Sequence, residues 1–79
     1  MSRQTLEVLA EFSNGRIIPR RIRYYDVDSA IYVEKNVSRL SYEVCSSGTT
    51  SYGVRFTDHE ERILKFHPLA GSWQFSEHL

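Results

Sequence analysis

Apolar and polar residues alternate with a period of two along most of this chain, and helical periodicity is nearly absent. Leu6, Val8, Ala10 and Phe12 share one face of a first strand, with Glu7, Leu9 and Glu11 on the other. Ser13-Asn14-Gly15 ends it, because Asn-Gly supplies the positive φ that a tight hairpin needs. A second strand runs from Arg16 to Tyr25 and contains Pro19, which cannot donate to a sheet ladder. That strand is therefore expected at an edge or bulged near Pro19, with Ile22 and Tyr24 facing one way and Arg21, Arg23 and Tyr25 the other.

Asp26-Val27-Asp28-Ser29 predicts the next turn, and Ala30 to Glu34 a strand with Ile31 and Val33 inward. The alternation runs to Val37 and then changes phase, with Leu40, Tyr42 and Val44 as the next set. One extra residue between Asn36 and Ser38, a bulge or bend, accounts for the switch. Ser46 to Thr50 is the most loop-like stretch of the chain. Tyr52, Val54 and Phe56 make a further strand, turned by Asp58 to Glu61. Ile63 to Phe66 follow as another, stopped by Pro68 and Gly71, and Trp73 and Phe75 close the series. Five or six short strands with no helix predict an all-β fold, an antiparallel meander curled into a small barrel or roll. The expected core is Leu6, Val8, Phe12, Ile22, Ile31, Val33, Val54, Phe56, Leu64, Phe66 and Trp73. At 79 residues the chain is read as one domain, ordered from about residue 5 to residue 76, with His78 and Leu79 frayed.

Composition narrows the class. A hydrophobic content of 41% at zero formal net charge is too apolar for a disordered chain. No apolar run is long enough to span a membrane as a helix, and the first residues offer no signal-peptide core. A secreted domain of this size would ordinarily be stapled by disulfides, whereas Cys45 has no partner in the chain. A cytoplasmic location and a half-buried, inert Cys45 are the expectations. A core this small seldom supplies more than about 3–5 kcal/mol, which makes self-association a natural complement.

The sequence carries no recognisable catalytic or metal-binding pattern. His59, His67 and His78 are scattered, without CxxC, HxxxH or HxH spacing, so no metal and no cofactor is expected. Ser46 to Gly53 is rich in hydroxyls but has neither the lysine nor the glycine spacing of a P-loop. Asp26 and Asp28 flank a turn, and Glu60 and Glu61 are adjacent turn residues. Neither pair resembles an acid–base arrangement, and an enzyme is the least expected class.

Charge is uneven. Up to Tyr25 the chain carries Arg3, Arg16, Arg20, Arg21 and Arg23 against Glu7 and Glu11, a balance of +3 that the remainder offsets. Arginine outnumbers lysine eight to two, and its planar fork suits phosphate and carboxylate. Arg16, Arg20, Arg21, Arg23 and Tyr25 are thus candidate contacts to nucleic acid or another anion. The same arginines can instead guard an edge strand or meet the acidic second half of the chain. Tyr25, Tyr32 and Tyr42 are candidate interface residues, because tyrosine is enriched where surfaces are buried on association. The leading expectation is a non-catalytic interaction module that forms a homo-oligomer or binds a protein partner. The alternative is a weak nucleic-acid-binding barrel; no membrane partner is expected.

Two resemblances bear on the fold. Arg16-Ile17-Ile18-Pro19-Arg20 is similar to the RxxxR element of PilZ domains, but the companion DxSxxG is absent and no site is carried over. More broadly, Val8-x-Ala10-x-Phe12-x-x-x-Arg16-x-x-Pro19-x-x-Ile22 resembles the opening of short bacterial all-β domains of unknown function. Tyr32-Val33, Tyr52-Gly53-Val54-Arg55-Phe56, Leu64-Lys65-Phe66 and Trp73-Gln74-Phe75 resemble their later strands. That resemblance implies the β-meander and brings no chemistry.

Overall fold

Six antiparallel strands lie in sheet order β1-β2-β3-β4-β5-β6, an all-β meander curled into a half-barrel, in a computed structural model that describes residues 6–76. They are β1 (Glu7–Ser13), β2 (Arg16–Asp26), β3 (Ile31–Ser46), β4 (Thr49–Phe56), β5 (Glu61–His67) and β6 (Ser72–Ser76). The start of order at residue 5, the fraying of His78 and Leu79, and the contribution of Arg3 all concern residues outside those described. No described helix is long and apolar enough to cross a membrane.

Turn chemistry joins the strands as the residues dictate. Asn14 and Gly15 both take positive φ (53° and 74°), the paired left-handed conformation whose twist matches the flanking strands. Ser47 and Gly48 repeat it (54° and 76°), so the stretch expected to be a loop is a two-residue hairpin with strand on both sides. Asp26 organises the β2–β3 turn. Its backbone carbonyl accepts from Ala30 N (2.7 Å), and its carboxylate accepts from Asp28 N (3.1 Å) and the Ser29 hydroxyl (3.0 Å). Ala30 belongs to this turn, at φ 57°, rather than to the following strand.

Bulges give the sheet its curvature. On β2, Leu9 faces Arg21 while Ala10 faces Pro19, which makes Arg20 the extra residue. Pro19 sits beside this bulge, in the half of β2 that β3 does not pair, so both devices expected for a strand proline are present. On β3, residues up to Asn36 pair with β2 and those from Val37 pair with β4, so one 16-residue strand serves two ladders. The expected extra residue is Ser38, whose hydroxyl donates to the carbonyls of Arg55 (3.1 Å) and Phe56 (3.2 Å). A second irregularity at Ser41 was not foreseen. It puts Tyr42 and Val44 on the outer face, opposite Gly53 and Ser51, and not with Leu40.

The core lies on the concave side: Leu6, Ile22, Tyr52, Val54, Phe56, Leu64 and Trp73 are buried, flanked by half-buried Val8, Phe66 and Phe75. Trp73 lies 4.7 Å from Phe66 and 5.5 Å from Tyr52, ring to ring. Leu6 N donates to the Trp73 carbonyl (3.3 Å), an isolated bridge that brings the ends of the meander together at one point. Two residues expected inside are not. Phe12 is 79% exposed and Ile31 55%, because each lies at the end of a hairpin that projects past the opposing strands. Tyr52 takes a core place that no aliphatic residue fills, since its hydroxyl finds the Ile17 carbonyl at 2.6 Å.

Candidate functional site

The Arg20 bulge changes what β2 can present. Strict alternation would divide the arginines between two faces. With one residue bulged, Ile17 and Pro19 join Ile22 and Tyr24 on the inner side, and Arg20, Arg21, Arg23 and Tyr25 are all exposed. The cationic strip therefore exists as geometry. Its charge, however, is largely met by the protein itself. Arg20 Nε donates to Glu11 at 2.9 Å, and Arg23 Nε stands 3.9 Å from Glu7, both acids being on β1. Arg16 reaches Glu43 of β3 through Nε (3.1 Å) and Nη2 (2.6 Å), the one pairing of these arginines with the acidic second half. Arg21 bonds the neutral Asn36 side chain (2.9 Å).

Two of the three candidate tyrosines come together. Tyr25 and Tyr32 are directly opposite on β2 and β3, with ring centroids 5.2 Å apart at 70°, and are 42% and 61% exposed. The Arg23 guanidinium lies 4.5 Å above the Tyr32 ring. Exposed Val27 lies in the turn at the end of this hairpin, and exposed Leu9 lies on β1 opposite Arg21. Tyr42 is elsewhere, half-buried on the outer face of β3 across Gly53. Its ring approaches so closely that a Cβ at Gly53 would stand 2.2 Å from Cε2. A shallow depression of about 240 Å³ beside it is lined by Gly53, Glu61, Arg62 and Ile63, among others.

Other polar groupings lie apart from this surface. Lys35 occupies an inward position between Val33 and Val37, 5.5 Å from the Phe56 ring, with Nζ bonded to Glu60 (2.5 Å) and Asp58 (2.9 Å). Burial works to lower its pKa, but the hydrogen bonds to Glu60 and Asp58 outweigh that, and the net shift is upward. The same contact, helped by the Glu60 amide, holds the Asp58 carboxyl below its ordinary value. The signal for it in the sequence is a lysine within the alternating series Ile31-Val33-Lys35-Val37. Arg39 faces Arg55 across β3 and β4; Arg55 is bonded to Glu61 (2.6 Å), and Arg39 has no carboxylate partner among the described residues.

Cys45 is exposed, contrary to expectation, because it lies near the β3–β4 hairpin end beyond the core. His59 is exposed in its turn at φ 73°, whereas His67 is half-buried on β5 with Nε2 lacking a hydrogen-bond partner among the described residues. Among the described residues no three or more His, Cys, Asp or Glu side chains converge as a metal site would require. Compared with protein-family models, with curated proteins and with solved structures, the chain has no match.

Proposed function

We propose that this chain is a non-catalytic interaction module that self-associates, and that the exposed outer surface of β1, β2 and β3 is its contact face. The observation that carries the reading is the Tyr25–Tyr32 pair with Arg23 stacked on it, exposed on a domain with seven buried hydrophobic residues among those described. Tyrosine and arginine together are the residue types enriched at association surfaces, where rigid rings lose little entropy on burial. Leu9 and Val27 add apolar area around them. The arginine charge is already balanced by Glu7 and Glu11, so a neutral, apolar contact suits the surface better than a polyanion.

Sedimentation equilibrium from low to high micromolar concentration tests this reading. A rising average mass is expected, with weaker association for the Tyr25→Ser, Tyr32→Ser double variant. Monomer mass across the whole range overturns it.

A further inference from the structure

The backbone of β1 is half unpaired, and the hydrogen-bonding pattern shows which groups are involved. In the β1–β2 ladder Ala10 faces Pro19. Proline has no N–H, so this cannot be a pair that exchanges hydrogen bonds with β2. Ala10 must therefore turn its N–H and C=O to the opposite edge, and Val8 and Phe12, in step with it, do the same. Leu6, next in that series, points the same way: its N–H bonds Trp73 of β6. Beyond Leu6 no strand flanks that edge among the described residues.

Resting on the self-association proposed above, and adding to its outer face a second, separate contact, we infer that a second copy of this chain occupies the edge, β1 pairing antiparallel with β1 of the partner about a two-fold axis at Ala10. Charge selects this register. Centring the axis on Leu9 would set Glu7 against the partner's Glu11, and centring it on Glu11 would set two copies of Glu11 against each other; both place like charges opposite. Centring on Val8 or Phe12 would pair only a fragment of the strand. At Ala10 the full seven residues overlap, Glu7 meets the partner's Ser13, and Leu9 meets the partner's Glu11. About six backbone hydrogen bonds form, from Val8, Ala10 and Phe12 of each copy.

The side chains agree with the backbone. Phe12, largely exposed in one copy, lands directly opposite the partner's Val8 on the concave side. Charged residues on an edge ordinarily repel an incoming strand. Here Glu11 and Glu7 are held toward β2 by Arg20 and Arg23, which leaves the edge electrically quiet. The sheets of the two copies join through β1 into one continuous sheet, with the Tyr25–Tyr32 pair of each copy away from the seam.

Disulfide trapping in the full chain carrying Cys45→Ser is the test. Opposed Ala10→Cys residues fall within disulfide reach across a strand pair, whereas Leu9→Cys residues would be diagonal, about 7–8 Å apart and too far. Covalent dimer from Ala10→Cys and none from Leu9→Cys is expected. Phe12→Asp, at a site exposed in the monomer, should weaken association at least about tenfold while the circular dichroism spectrum is unchanged. If the chain self-associates yet Ala10→Cys stays unlinked, or Phe12→Asp associates normally, the β1 pairing is wrong and self-association stands. If sedimentation shows monomer only, both are wrong.

Discussion

The Tyr52 hydroxyl donates to the Ile17 carbonyl at 2.6 Å, tying the middle of β4 to the half of β2 that β3 leaves uncovered. The other ties of the β1–β2 hairpin beyond Pro19 are the packing of Ile17 against the core and Arg16–Glu43, an exposed ion pair worth at most about 1 kcal/mol. Tyr52→Phe keeps the ring against Trp73 and removes only the donor. The expected loss is about 1–3 kcal/mol in urea unfolding, since the carbonyl loses its partner.

Burial, reinforced by the nearby Glu43 carboxylate, raises the Tyr52 pKa above the ordinary tyrosine value of 10.0. The folded state thus prefers the neutral phenol. Its contribution to stability is complete below pH 10.0 and is lost as the pH climbs through the raised value. Alkaline denaturation should be shallower in Tyr52→Phe than in the wild type, and phenolate absorbance should show one late-titrating tyrosine that the variant lacks.

Gly53 lies beneath the Tyr42 ring, and an added Cβ would meet Cε2 at 2.2 Å and Cδ2 at 2.5 Å. The ring must swing away to admit a methyl group, uncovering the outer face of β4. Gly53→Ala is expected to cost about 1–3 kcal/mol. Combining it with Tyr42→Ala should cost less than the two single changes together, because the clash has gone. Full additivity in chemical denaturation would show that the ring and the glycine are independent.

Asp58 and Lys35 predict opposite limbs of the pH–stability curve. The Asp58 contribution is present above its ordinary pKa of 3.8 and is lost as the pH falls through its lowered value. The raised Lys35 pKa adds stability that is complete below 10.5 and disappears as the pH rises through the higher folded value. Lys35→Met retains the aliphatic contact with Phe56 and removes the charge. Thermal melts from acid to alkaline pH should show both limbs flattened and less than about 1 kcal/mol lost at neutrality.

How far the amino-acid pattern reaches is clear from particular positions. Asn14-Gly15 and the alternation of Tyr52, Val54 and Phe56 mark their hairpin and strand directly, because turn chemistry and a two-residue period are local. The extra residue at Ser38 was visible as a change of phase. The one at Ser41 was not, since Leu40, Tyr42 and Val44 keep alternating while the partner strand slips. Phe12 and Ile31 looked like core residues for a related reason: alternation states which face a residue takes, but not whether anything lies opposite it. At the candidate surface, Tyr25 and Tyr32 were singled out separately. Their contact depends on the β2–β3 register, which the four-residue turn held by Asp26 sets. The ion pairs of Arg20 and Arg23 follow from the β1–β2 register in the same way.

Those ion pairs lead to the prediction for nucleic acid. A polyanion would draw on Arg16, Arg20, Arg21 and Arg23, with Tyr32 or Tyr25 as the stacking surface. Arg16, Arg20 and Arg23 each already face a carboxylate, which phosphate would have to displace. Arg21, bonded to Asn36, gives up only a neutral partner, and Arg39 none among the described residues. One or two effective phosphate contacts correspond to a log–log salt slope of about −1 to −2. Fluorescent single-stranded and duplex oligonucleotides should therefore bind weakly at about 50 mM salt and detach at physiological salt. The Arg21→Ala, Arg39→Ala double variant should abolish the remaining signal. A slope of about −3 or steeper would show that the polyanion pulls the arginines from Glu7, Glu11 and Glu43, and would make nucleic acid the better reading of this face.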